Sequence, residues 1–161
     1  MQFQFATQFL MPQKRFSIQD RVRWSDVDRA GIIYFGSYVR FFEIAETEMY
    51  RAVGLPYSTI FDVLDIYAVR AQFHCDFKSP AFLDDLLTVE LWVTNFGETS
   101  LRLEFEIHRG PGPDEHAYAG VRDLLVTGHC VLVTVDHAKY RPCRVPDRLR
   151  VALAEFYHGT E

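Results

Sequence analysis

The chain has 161 residues, 48% of them hydrophobic and 24% charged, with 17 Lys and Arg against 22 Asp and Glu for a net charge of −5. That length and apolar fraction suit one domain with a full core, and the acidic balance excludes non-specific nucleic-acid binding, which runs on an excess of Lys and Arg. Apolar runs such as Val131 to Val133 fall far short of the ~20 residues of a membrane span, so a soluble protein is expected.

Residues 1–15 carry Phe3, Phe5, Phe9 and Leu10 with no basic stretch ahead of them. They read as a flexible leader rather than a secretion signal, and the single domain is expected over residues 16–158. Phe16, Ile18, Val22 and Trp24 alternate with Ser17, Gln19, Arg21 and Arg23, a period of two that only a strand turns into one buried and one wet face. Asp20 interrupts it once. From Ser37 to Val53 the period changes, with Tyr38, Phe41, Phe42, Ala45, Met49, Ala52 and Val53 recurring at three- and four-residue spacing. This predicts an amphipathic helix of about four to five turns, stopped by Gly54-Leu55-Pro56. Glu43 and Glu46 belong to its polar side, with Glu43 three residues from Arg40 and in range to pair with it. A shorter helix is expected after Pro56.

The two-residue period then returns. Ala71, Phe73, Cys75 and Phe77 alternate with Arg70, Gln72, His74 and Asp76 before Ser79-Pro80. Leu87, Val89, Leu91 and Val93 mark a second strand, and Leu101, Leu103, Phe105 and Ile107 a third. The short connection through Gly97 makes these two an antiparallel hairpin. Arg109 to His116, rich in Gly and Pro, reads as a loop, and Gly120 to Val135 as a long strand bent at Gly128. A C-terminal helix is expected over Asp147 to Tyr157. One aromatic-faced helix followed by four antiparallel strands is buried most cheaply by curling the sheet around the helix, an α+β class. The outer sheet face, bearing Glu90, Trp92, Arg102, Glu104 and Glu106, is left for water or another subunit.

Cys75, Cys130 and Cys143 are odd in number and widely spaced, which points to reduced thiols and a cytoplasmic location. His74 and Asp76 share a strand face without a third ligand in register, so neither a metal nor a cofactor is expected. The informative segment is Ser25-Asp26-Val27-Asp28-Arg29-Ala30-Gly31-Ile32-Ile33-Tyr34-Phe35-Gly36-Ser37-Tyr38, which carries two carboxylates and a glycine into a helix N-terminus. The first N–H groups of a helix have no intrahelical partner and carry partial positive charge, so they can hold a developing oxyanion. A carboxylate just upstream can act on the carbonyl they polarise. Aspartates here also cap turns and helix starts, and composition does not separate the two roles.

Arg23-Trp24-Ser25-Asp26-Val27-Asp28-Arg29-Ala30-Gly31-Ile32-Ile33-Tyr34-Phe35-Gly36-Ser37-Tyr38, followed by Arg40-Phe41-Phe42-Glu43 and the helix to Gly54-Leu55, resembles the hotdog-fold acyl-CoA thioesterases of the 4-hydroxybenzoyl-CoA thioesterase and YbgC type. The likeness runs from about Phe16 to Pro146. It implies a hotdog fold and hydrolysis of a small acyl-CoA, aromatic or short-chain, to the free acid and CoA. It further implies that Asp28, the second aspartate of the D-x-D, is the catalytic carboxylate, as nucleophile or general base. The backbone N–H of Phe35 is then the oxyanion donor, with Gly31, Tyr34 and Tyr38 beside the substrate.

The resemblance also implies a homodimer or a dimer-of-dimers homotetramer, with acyl-CoA in a groove between two subunits. Two departures are visible. Phe35 stands where many YbgC-like members have a histidine, and Asn95-Phe96-Gly97-Glu98-Thr99 lacks the basic cluster that some relatives turn toward CoA phosphates. Lys139, Arg141 and Arg144, a short basic run before the last helix, are the candidate substitutes for that cluster, the alternative being a solvated surface. Other hotdog enzymes place the catalytic group on a helix glutamate, here Glu46. The alternatives are a hotdog hydratase or dehydratase, whose site histidine and proline are missing between Trp24 and Tyr38, and a non-catalytic acyl-CoA-binding domain.

Overall fold

The computed structural model describes residues 14–110 and 123–159. The strands are β1 (Phe16–Arg21), β2 (Ile66–Phe77), β3 (Leu86–Phe96), β4 (Ser100–Arg109) and β5 (Asp123–Asp136). The helices are α1 (Ser37–Ala52), α2 (Ile60–Leu64) and α3 (Asp147–Ala152), with short 3-10 turns at Trp24–Asp26 and Ala154–Phe156. The strands pair antiparallel in one sheet, in the order β1-β3-β4-β5-β2. The sheet packs on α1, as the alternating pattern requires. Leu87, Val89, Leu91 and Val93 of β3 and Leu101, Leu103, Phe105 and Ile107 of β4 are buried with Phe41, Phe42, Ala45 and Met49 of α1. Apart from Ala45, each such side chain contributes about 1.5–3 kcal/mol through burial. No described helix is long and apolar enough to cross a membrane.

Several expectations shift. β1 ends at Arg21, and Trp24 does not share its buried face: the indole is 79% exposed. The chain leaves the sheet because Arg23 and Asp26 exchange hydrogen bonds across a 3-10 turn that starts two residues after Val22. β2 begins at Ile66, and its register with β5 slips between Arg70 and Gln72. That bulge reverses which face the residues before it present. Arg70, expected on the wet face, turns to Glu46 on α1, while Phe73 packs on Phe42 and Phe77 on Tyr38.

Gly128 causes no slip in register. A Cβ there would lie 2.2 Å from the His74 carbonyl oxygen and 2.4 Å from the Phe105 ring, so close packing, not a bend, demands glycine. The expected C-terminal helix is split into α3 and the second 3-10 turn. The loop beyond Gly110 and the first residues of the long strand lie outside the described residues, as do residues 1–13 of the expected leader. Lys14 and Arg15 are tied down: Lys14 pairs with Glu155, and Arg15 reaches Glu90 at 3.1 Å and Glu106 at 2.8 Å while lying 3.9 Å from the Trp92 ring. The chain therefore covers part of its own outer sheet face.

Candidate active site

Val27 bridges Ile33 antiparallel, the Asp28 N–H donates to the Ile32 carbonyl at 2.9 Å, and the Gly31 N–H donates to the Asp28 carbonyl at 3.0 Å. Residues 27–33 are thus a miniature hairpin. Its turn closes on Gly31 at φ +79°, a left-handed position that glycine enters without a Cβ penalty. Asp28 Oδ1 accepts the Ala30 N–H at 2.7 Å, a local bond that orients the carboxylate. Its other oxygen has no partner among the described residues. Asp28 lines a cavity of about 540 Å³ with Trp24, Val27, Arg29, Gly31 and Leu83.

Asp26 is in the opposite situation. It is 2% exposed, and its Oδ2 accepts the Arg23 N–H at 2.8 Å. Arg40, from the first turn of α1, grips both oxygens, Nε to Oδ1 at 2.9 Å and Nη2 to Oδ2 at 2.5 Å, and also reaches Asp20 at 3.0 Å. Arg40 is therefore not the partner of Glu43. The Asp26 carbonyl accepts the Tyr34 N–H at 2.7 Å and the Ser37 hydroxyl at 3.1 Å. Both ends of this residue fasten the hairpin to the start of α1.

At that start, the Ser37 N–H turns back to the Tyr34 carbonyl at 2.8 Å, whereas the Phe35 N–H has no acceptor among the described residues. It sits at the positive end of the helix dipole. Phe35 lines a second cavity, of about 310 Å³, with Ile32, Ile33, Tyr38, Phe77, Lys78, Ser79 and Pro80. Burial pushes the Tyr38 phenol up to about 12, so its hydroxyl keeps its proton at neutral pH.

The structure thus brings Asp28 and Gly31 to one cavity and Phe35 and Tyr38 to another, with consecutive residues Gly31 and Ile32 on opposite sides of the divide. Tyr34 is half exposed, packs on Phe35 with tilted rings whose centroids are 4.5 Å apart, and lines neither. Arg141 and Arg144 also line neither. They follow the Asp136 end of β5, which pairs with Ile66, whereas Phe77 pairs with Val126 at the other end. Ten residues of strand separate these ends, roughly 33 Å.

Glu46 is not on the polar side of α1. It is wholly buried, paired through Oε2 with Arg70, and its Oε1 has no hydrogen-bond partner among the described residues. Burial pushes its carboxyl up to about 7, against the opposing pull of Arg70 and a hydrogen bond from Tyr57. It lines neither cavity. The signal was present: Glu46 lies four residues after Phe42 and four before Tyr50, inside the apolar stripe. Among the described residues Glu90, Glu106 and His108 could together hold a metal ion, but the Arg15 guanidinium already supplies positive charge to both carboxylates.

A family model described as the thioesterase-like superfamily matches residues 22–153. The chain belongs to that superfamily. It is a thioester hydrolase, and its sheet wrapped on one long helix is the hotdog fold. The chain is 28% identical over 144 residues to the acyl-CoA thioesterase YbgC of Haemophilus influenzae, covering 89% of this chain and 95% of that one. It is 29% identical over 136 residues to the acyl-CoA thioester hydrolase YbgC of Escherichia coli, covering 84% and 91%. Among solved structures, the 1,4-dihydroxy-2-naphthoyl-CoA thioesterase of Synechocystis matches with a TM-score of 0.75 at 21% identity, over 88% of this chain and 96% of that one. Against the thioesterase-like superfamily the matched span takes in both cavities, α1 and the whole sheet except β1.

Proposed function

We propose that this thioesterase hydrolyses a small acyl-CoA, aromatic or short-chain, with Asp28 as the reacting carboxylate and the Phe35 N–H as the oxyanion donor. The observation that carries this reading is the contrast between the two aspartates. Asp26 spends both oxygens on Arg40 and Arg23, while Asp28 keeps one oxygen free at the wall of a cavity. With the thioester oxygen at the positive end of α1, Asp28 either takes a proton from the attacking water or attacks the carbonyl carbon itself. In both routes the C–S bond breaks and the thiolate of CoA departs; in the second the acyl group is left on Asp28 as a mixed anhydride, which water then cleaves to the free acid and the restored carboxylate. No metal or cofactor is needed for either.

The working form is a homodimer, alone or paired into a tetramer. β2 is the last strand of the sheet, twelve residues long with its outer edge unpaired among the described residues, and such an edge invites a second strand. An antiparallel pairing of β2 with its copy lays the Ile66 end of one strand against the Phe77 end of the other. Arg141 and Arg144 of the second copy then approach the cavities and serve the phosphates of CoA, which the β3–β4 connection cannot.

Thiol release across a panel of acyl-CoAs tests the reading. Asp28→Asn is expected to lower kcat by ~10²–10⁴ with an unchanged thermal melt, and wild-type turnover in that variant would discard the assignment. A binding domain would hold acyl-CoA without releasing thiol, and a hydratase would alter the acyl chain and leave the thioester whole.

A further inference from the structure

Trp24 is the most exposed of the large hydrophobic side chains among the described residues, at 79%, and it is exposed into the cavity that also holds Asp28. The same wall carries Arg29 at the tip of the miniature hairpin. Arg40 and Arg23, its neighbours in the fold, are committed to Asp26 and Asp20. The Arg29 guanidinium has no carboxylate or carbonyl partner among the described residues, and Asp28, next to it in sequence, is not within ion-pair distance. An indole, the apolar side chains of Val27 and Leu83, and one free guanidinium therefore surround the space beside the reacting carboxylate. Indole faces take flat or apolar groups, and a guanidinium matches a carboxylate with two parallel hydrogen bonds.

The geometry points to Trp24 and Arg29 as a specificity subsite for an acyl group that ends in a carboxylate, so that the substrate is the monothioester of a dicarboxylic acid. This rests on the thioesterase reading of Asp28. The charge is assigned to the acyl group rather than to CoA because of distance. The first phosphate of CoA is thirteen bonds from the sulfur, roughly 15 Å at ordinary bond lengths in an extended arm, and the intervening pantetheine carries no charge. Arg29 follows Asp28 directly in the chain and shares its cavity, so it stands near the thioester. A cation there has nothing to meet on the CoA side and a carboxylate to meet on the acyl side.

The test uses glutaryl-CoA and valeryl-CoA, which share five carbons and differ in a terminal carboxylate or methyl group. Wild type is expected to prefer glutaryl-CoA in kcat/KM. Arg29→Gln is expected to lower the glutaryl-to-valeryl ratio about 30-fold, the effect of deleting a charged hydrogen-bonding partner, and Arg29→Lys to restore part of it. The same ratio with glutaryl- and valeryl-pantetheine, which lack the phosphates of CoA, should respond in the same way. If Arg29→Gln lowers both CoA thioesters equally and neither pantetheine thioester, Arg29 serves phosphate and the proposal falls.

If wild type releases no thiol from any of these compounds, the thioesterase reading fails while the subsite remains open to measurement. Quenching of Trp24 fluorescence in a Trp92→Phe background then reports binding. Tighter binding of glutaryl-CoA than of valeryl-CoA, lost in Arg29→Gln, supports the subsite, and equal binding overturns it.

Discussion

A carboxylate gripped by a guanidinium and a backbone amide has no oxygen left to turn toward a water molecule, and Asp26 is held in that way by Arg40 and Arg23. Removing it strands a part-buried guanidinium and unfastens the hairpin from α1. Asp26→Ala is accordingly expected to cost about 2–4 kcal/mol in stability, read from chemical denaturation, while Asp28→Ala changes the same midpoint little. Equal destabilisation by the two would contradict the division of labour between them. Sequence spacing left both roles open for both residues because the deciding partner, Arg40, is fourteen positions from Asp26. Its side chain meets Asp26 only after β1 and α1 have packed. The glycine of the turn was legible, because a left-handed closing residue is a local demand. The isolation of Arg141 and Arg144 from both cavities was not, since it depends on which end of β5 they follow.

At the scale of elements, α1 and the paired strands β3 and β4 follow directly from periodicity, because one buried face per element is what their patterns encode. β2 departs from its pattern at Ala71. A single unpaired residue reverses the facing of everything before it, and Arg70 is thereby delivered to Glu46. No periodicity anticipates a bulge, so the spacing of β2 places Arg70 in solvent, whereas the burial of Glu46 is legible in the helical stripe between Phe42 and Tyr50. The consequence for pH is definite. Glu46 titrates near 7 in the folded protein against about 4.3 for a free glutamate. The folded state therefore holds a proton that the unfolded state has lost between those values. The stabilisation is complete below about pH 4.3 and fades as pH rises through 7, by about 4 kcal/mol. Comparing thermal melts of wild type and Glu46→Gln from pH 5 to 8 isolates this contribution. The wild type should lose stability relative to the variant as pH rises, and parallel curves would refute a buried protonated Glu46.

For the whole molecule, the question is where the unpaired edge of β2 goes. Phe77 and Val69 lie exposed on this strand, and Phe35 and Asp28 open into separate cavities within one protomer. A groove completed by a second copy accounts for both facts. Specific activity is then expected to fall on dilution in step with the loss of dimer in sedimentation velocity. A fully active monomer would remove the second copy from the site. The layered architecture was readable from the order of elements, but the partner of an edge strand is a property of a surface, and surfaces are weakly specified by hydrophobic spacing.

The miniature hairpin has one more implication. Its shape is kept by main-chain bonds, by the bond from Ala30 to Asp28 and by Gly31, so the side chains of Arg29 and Ala30 carry no share of the scaffolding. Under the proposed subsite, exchanging those two tips is expected to retune which acyl groups are accepted while the Asp28 carboxylate stays where it is.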